Sequence, residues 1–427
     1  MPTLTDHPKR YQLSNELHAR PFPTAAEGSR ALFLALKQPN GGTRTNAQAD
    51  LDHLLALLDR YGAAHPGPGA THYFGTLGRF RLKWERHTEF VTYTILLDGL
   101  GDRPFDPADF DLFEESWLAD APGERVVSAL IRIEPRLPLA ELKAKMSNWF
   151  VLESLAASEV LDGAGVIAGD FHIDPAGHTR FAIFASDGVG QARIGRIVQR
   201  LFEIETYKSM AMLGFARMRE MEPLLGDLET KLSRLIEEIT LSHERAEDQL
   251  DALLGISAEL EAEHARSAFR FGATGAYETI VNQRIFALRE TPLEGQQTLA
   301  EFMMRRFDPA MRTVKSSERR LHTLSERAVR AAQLLRTRVD VDRSAQNQKL
   351  LESMNRRADL QLKLQHTVEG LSVVAITYYA VSLGSYLLAP LAGHLGASKA
   401  VLTAGITLPV AAIVWWMVRR IRHRASG

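Results

Sequence analysis

The chain has 427 residues, 51 Lys and Arg against 52 Asp and Glu, and no cysteine. A formal net charge of −1 gives no bulk electrostatic attraction to nucleic acid, so no nucleic-acid partner is expected. The absence of cysteine excludes disulfides, thiol catalysis and cysteine metal sites, and suits a reducing compartment. The length accommodates two or three domains of about 150 residues each.

The first 23 residues hold no apolar run and no small-residue cleavage site, so no export signal is read there. Within them, NELHARPFP gathers Glu16, His18 and Arg20 ahead of Pro21. An imidazole can shuttle protons near neutral pH and a guanidinium can fork onto a carboxylate or phosphate. The plainer alternative is a Glu16–Arg20 pair on one helical turn that Pro21 ends.

Residues 46–61 (NAQADLDHLLALLDRY) combine a polar start with leucines at helical spacing and predict a helix that stops at Gly62 and the PGPG that follows. Residues 76–97 predict two strands joined by a tight turn, because the alternation at Phe80, Leu82 and Trp84 changes register around 86–89. On that hairpin Arg81, Lys83, Glu85 and His87 share a face, opposite Leu82 and Trp84. This is a candidate ligand or partner face, or else a solvated sheet face. Residues 126–135 read as a strand, 139–153 as a helix, and 166–185 as a hairpin turning at Asp174-Pro175-Ala176-Gly177. Asp170, His172 and Asp174 alternate on one strand, a weak candidate metal set with His178 across the turn. Strands alternating with helices predict an α+β or α/β domain over 1–187, one sheet with helices packed on it.

From residue 188 the pattern is helical. Residues 191–220 form one predicted helix and Pro223 opens the next, whose Leu228, Leu232, Leu235 and Ile239 step by four, three and four and mark a seam against another helix. A shorter helix covers 268–288. Asp308-Pro309 reads as a cap and first residue of a helix running to Pro390, roughly 120 Å at about 1.5 Å per residue. The 188–370 region is thus a coiled-coil-like stalk or a folded-back bundle. It is the expected site of homo-oligomerisation.

Two uncharged apolar runs close the chain, 371–391 (LSVVAITYYAVSLGSYLLAPL) and 400–418 (AVLTAGITLPVAAIVWWMV). Each is long enough to cross a hydrocarbon core of roughly 30 Å. Lys349, Arg356, Arg357 and Lys363 precede the first, and Arg419, Arg420, Arg422 and Arg424 follow the second, while the 392–399 link carries only Lys399. The positive-inside rule then predicts a hairpin in the cytoplasmic membrane, with a short external loop, a basic 419–427 tail and both chain ends in the cytoplasm. No ionisable side chain interrupts either run, so no intramembrane proton relay is expected. Ala380, Ser382, Gly384, Ser385 and Tyr386 are candidates for helix packing or a pore lining.

Four stretches, NELHARPFP at 15–23, RLKWERHTEF at 81–90, QRLFEIETYKSMAMLGFARMR at 199–219 and TVEGLSVVAITYYAVSLGSY at 367–386, resemble a bacterial family of membrane-anchored proteins known as domain of unknown function 3422. That resemblance implies an anchor and supplies no activity or catalytic residues. The order of elements is also similar to that of CorA-type divalent-cation channels, which are pentamers with a Gly-Met-Asn signature at the outer end of the first span. Here Gly384-Ser385-Tyr386 stands at that place, without the hydrated-ion selectivity element.

No Gly-rich phosphate loop follows a strand, and neither Gly-x-Ser-x-Gly nor His-Glu-x-x-His is present. The leading expectation is a non-enzymatic membrane-anchored protein with a cytosolic ligand- or partner-binding domain and an oligomerising helical region. The alternatives are a divergent CorA-like channel passing a divalent cation, and a membrane-proximal enzyme in which Glu16, His18, Arg20 and His87 converge. The cofactor is unknown.

Overall fold

The computed structural model describes residues 6–11, 14, 22–39, 46–241, 246–395 and 398–425. They divide into two compact units, residues 1–332 and 333–427.

The first unit is built on a nine-stranded sheet among the described residues, in the order β2-β3-β4-β1-β5-β8-β7-β6-β9. Its strands are β1 (Ser29–Lys37), β2 (His72–Leu77), β3 (Phe80–Arg86), β4 (Phe90–Asp98), β5 (Glu124–Pro135), β6 (Ala156–Val160), β7 (Gly165–Ile173), β8 (Thr179–Ala185) and the two-residue β9 (Thr291–Pro292). Pairing is antiparallel except between β5 and β8. Both faces are covered, so β1 is apolar on both. Leu32, Leu34 and Leu36 enter one core, and Ala31, Phe33 and Ala35 the other.

The first core is closed by α1 (Ala47–Arg60), α2 (Glu115–Ala119) and α3 (Leu139–Trp149), with a 3-10 turn at Pro107–Leu112. The cap of α1 is Asn46, whose side chain accepts from Ala49 N at 3.2 Å, and Leu51, Leu54, Leu57 and Leu58 bury its apolar stripe.

The opposite face carries α4 (Gln191–Leu241), α5 (Ala246–Leu288) and the beginning of α6 (Leu299–Leu395). Helix α4 runs through Pro223 as one element of 51 residues, in place of the two helices expected from that proline. Pro223 removes one backbone donor, and Met221, Leu225, Leu228 and Leu232, buried on either side of it, hold the segment in place. Helix α5 is likewise longer than the expected 268–288. Its first half reads as polar because two of its seam positions are Glu263 and Ser267, both buried against Arg217 of α4. Helix α6 starts ten residues before Pro309, which lies inside it. Its start is a capping box: Thr298 Oγ1 accepts from Glu301 N at 3.1 Å and Glu301 Oε2 from Thr298 N at 2.9 Å. Glu290 adds both carboxylate oxygens to the next free donors, Leu299 N and Ala300 N, at 2.9 Å each.

Phe302, Phe307, Met311, Val314, Leu321, Leu324 and Ala328 of α6 join the core of α4 and α5, and Arg320 pairs with Glu222 and Glu229. Residues 191–241 and 246–332 therefore form a folded-back helical layer over the sheet. The composition change at 187–188 marks where the helices begin, and the compact unit continues to Ala332.

In the second unit, residues 340–366 of α6 are exposed throughout. Helix α7 (Lys399–Ala425) follows and includes Pro409. Two helical segments are long and apolar enough to cross a membrane, one within α6 and the other at Ala400–Arg420 of α7. Across the hairpin, Ser385 Oγ and Thr403 Oγ1 lie 3.3 Å apart.

Candidate functional site

Strand β3 has the sequence FRLKWER, and its alternation sends Leu82 and Trp84 into the core under α1. Lys83 and Glu85 point the other way, toward α4. That face is covered: Lys83 is 4% exposed. A tight turn closed by His87 N donating to Phe90 O at 2.8 Å connects β3 to β4.

Lys83, Glu85 and His87 line one cavity of about 190 Å³ between β3–β4 and the helices. Gln199, Glu203 and Tyr207 of α4 project into it from one helical face, four residues apart, and Arg284 reaches it from α5. The polar groups form one chain. Glu85 Oε2 lies 3.0 Å from Lys83 Nζ, which donates to Gln199 Oε1 at 3.3 Å; Gln199 Nε2 donates to Glu203 Oε1 at 2.7 Å; and Glu203 Oε2 accepts from Arg284 Nε. Two cations and two carboxylates leave the chain formally neutral.

The other end is aromatic. His87 stacks on Phe90 at 4.4 Å between ring centroids, and Tyr207 meets both rings edge-on. Behind it Glu89, 1% exposed, accepts from Arg270 Nη2 and from the Tyr277 hydroxyl at 2.8 Å. Burial, and then the bond to the Glu89 carboxylate, push the Tyr277 phenol far above its ordinary range, so Tyr277 acts as a fixed donor. These contacts tie the β3–β4 turn to α5.

Arg81 is outside the cavity lining. It donates to Thr24 O at 2.7 Å and Thr24 Oγ1 at 2.9 Å and pairs with Asp98. Those bonds fix the segment leading into β1, whose Pro23 lines the cavity. Glu16, His18 and Arg20 lie outside the described residues.

The Asp170, His172, Asp174 set does not share a strand face. The β7–β8 register shifts between Gly169 and Ile173, and Phe171 has a φ of 57°. Each carboxylate is engaged by the backbone: Asp170 accepts from Val151 N at 2.9 Å and from His172 N, and Asp174 from Ala176 N and His178 N at the turn. Arg180 also donates to Asp170 at 3.3 Å.

In the apolar hairpin Ser382, Ser385 and Tyr386 line a groove with Thr377, Thr403 and Thr407. Thr377, Ser385 and Thr407 each donate to the carbonyl four residues earlier, which satisfies them within their own helices. A Cβ on Gly384 would meet Ile406 at 3.6 Å, ordinary packing distance, and Ala380 is not part of the groove.

The chain belongs to the family described as protein of unknown function (DUF3422), whose match spans residues 5–425. None of the curated proteins matches the sequence. The CorA-type likeness accordingly rests on the order of elements alone.

Proposed function

We propose that this is a membrane-anchored binding protein whose sheet–helix cavity takes a small zwitterion, such as an amino acid or a betaine. The single observation that carries the reading is the neutral, alternating chain Glu85–Lys83–Gln199–Glu203–Arg284 ending at an aromatic wall. A carboxylate entering the cavity takes the place of Glu85 or Glu203 on a cation, and an ammonium is received by the released acid and the faces of Phe90 and Tyr207. At about 190 Å³ the cavity is smaller than the usual drug-sized pocket, which favours an amino-acid-sized ligand over a nucleotide. The groups bind and orient; this reading assigns them no chemical step.

The test is calorimetric titration of the intact protein in lipid nanodiscs with a panel of amino acids and betaines. Saturable binding that Lys83→Met and Arg284→Gln each weaken at least tenfold is expected. A panel without a binder, or binding indifferent to both substitutions, would leave the charges as a sheet-to-helix clamp and remove the reading.

The anchor is the apolar pair in α6 and α7, placed across the cytoplasmic membrane with both ends inside by its flanking arginines and lysines. A second copy of the chain is the proposed partner of the exposed stretch of α6 that holds Leu350, Leu351, Met354 and Leu364. Tethering to one bilayer raises the local concentration of copies. Native mass spectrometry that finds only monomers would end that part of the proposal.

A further inference from the structure

The sheet face opposite α4–α6 holds a second cavity, of about 600 Å³, between β1, β5, the β7–β8 turn, the 3-10 turn and α2. Its floor is apolar, from Leu34, Leu36, Phe110 and Phe113. At one end sits His178, 5% exposed, its ring flat on Phe110 at 4.1 Å and its Nδ1 2.7 Å from Ser128 Oγ. The Ser128 hydroxyl makes no other side-chain hydrogen bond among the described residues, so we assign its proton to the bond with Nδ1, which puts the imidazole proton on Nε2. That nitrogen has no hydrogen-bond partner among the described residues, and His178 lines the cavity.

Arg125 stands beside it, and its guanidinium makes no ion pair or hydrogen bond among the described residues. Its guanidinium lies against Gly177, which has a φ of 91°; a Cβ there would fall 2.6 Å from Arg125 Nη2. The glycine thus leaves room for the guanidinium next to His178. An N–H and a guanidinium converge at one end of an apolar trough.

We propose that this cavity binds a small monocarboxylate with an apolar body. Arg125 supplies the full positive charge and His178 Nε2–H a second, uncharged donor, while the floor takes the hydrocarbon. Burial holds the His178 imidazole below its ordinary pKa and so neutral at pH 7, which leaves Arg125 as the cation that meets the carboxylate. Asp111, Glu114 and Glu115 also line the cavity, and their repulsion grows with ligand charge, so it disfavours nucleotides and polyphosphates more than a single carboxylate held by Arg125. Glu114 is already paired with Arg60, whereas Asp111 and Glu115 make no ion pair among the described residues.

The experiment titrates the full-length protein in nanodiscs with 3-phenylpropionate, using 3-phenylpropanol and inorganic phosphate as controls. The proposal expects saturable one-to-one binding of the carboxylate, weakened about tenfold or more in Arg125→Gln, a substitution at an exposed position. It also expects weaker binding of the alcohol, none of phosphate, and no effect of Lys83→Met. Equal affinity for the alcohol, or undiminished binding in an Arg125→Gln protein with unchanged melting temperature, overturns the proposal. So does a loss in Lys83→Met alone, which would move the carboxylate to the first cavity.

Discussion

Residues 1–332 and 333–427 bury their apolar side chains in opposite ways. In the first unit each helical stripe meets a partner within the chain: the leucines of α1 meet one face of the sheet, and the seams of α4, α5 and α6 meet each other. In the second, Leu350, Leu364, Leu371, Val374, Leu387 and Trp416 are all more than half exposed. The same kinds of side chain are covered within the chain in one region and left exposed in the other, where they are available to lipid or to another chain.

Substitutions separate the two regimes. The largest effect is expected for Glu89→Ala, which strands Arg270 and the Tyr277 hydroxyl in the interior. A loss of about 3–5 kcal/mol follows from breaking a buried pair, read as a fall in the denaturant midpoint of the first unit. Next comes Gly214→Val. A Cβ at Gly214 would lie 2.0 Å from Thr274 Oγ1, so α4 and α5 must separate, at a cost of about 1–3 kcal/mol by thermal unfolding. Glu290→Ala removes the acceptor for two donors at the start of α6 and is expected to cost about 1–2 kcal/mol in the same assay.

Acidification gives a smaller, graded loss. Burial lowers the pKa of both His53 and His178, so between their folded values and the ordinary 6.5 the unfolded chain binds more protons. Their contribution is intact above about pH 6.5 and declines as pH falls through that window. Melting curves at pH 7.5 and 5.5 check it; a higher melting temperature at pH 5.5 would contradict the assignment. The smallest effect is expected for Leu350→Ser with Met354→Ser, which lie in no core of the chain and are expected to change unfolding of the first unit by less than about 0.5 kcal/mol.

Much of this was readable in the residues. Asn46 ahead of spaced leucines gives α1, and the register change at 86–89 gives the β3–β4 turn. Strand β1 is not legible by alternation, because SRALFLALK is buried on both sides and such a run does not distinguish strand from helix. Helix boundaries at Pro223 and Pro309 misled because packing holds both prolines inside helices, while the capping box at Thr298 and Glu301 marked the true start of α6. Half of the candidate site was visible as Lys83, Glu85 and His87 on one strand face. The other half, Gln199, Glu203 and Tyr207, carries its own signal in a four-residue polar repeat on α4, but only the fold shows that this stripe lies over β3. The alternation at Asp170, His172 and Asp174 failed for a local reason, the left-handed Phe171 inside the strand.

The contrast between the two units is tested most directly by single-cysteine labelling, since the chain has no cysteine of its own. Ser398→Cys lies between α6 and α7 and Ser353→Cys in the exposed stretch of α6. With a membrane-impermeant maleimide on cells whose inner membrane is intact and reachable, the account predicts labelling of Ser398→Cys and labelling of Ser353→Cys only after lysis. Protection of both positions, or labelling of Ser353→Cys before lysis, would contradict a hairpin that crosses the membrane with its ends inside.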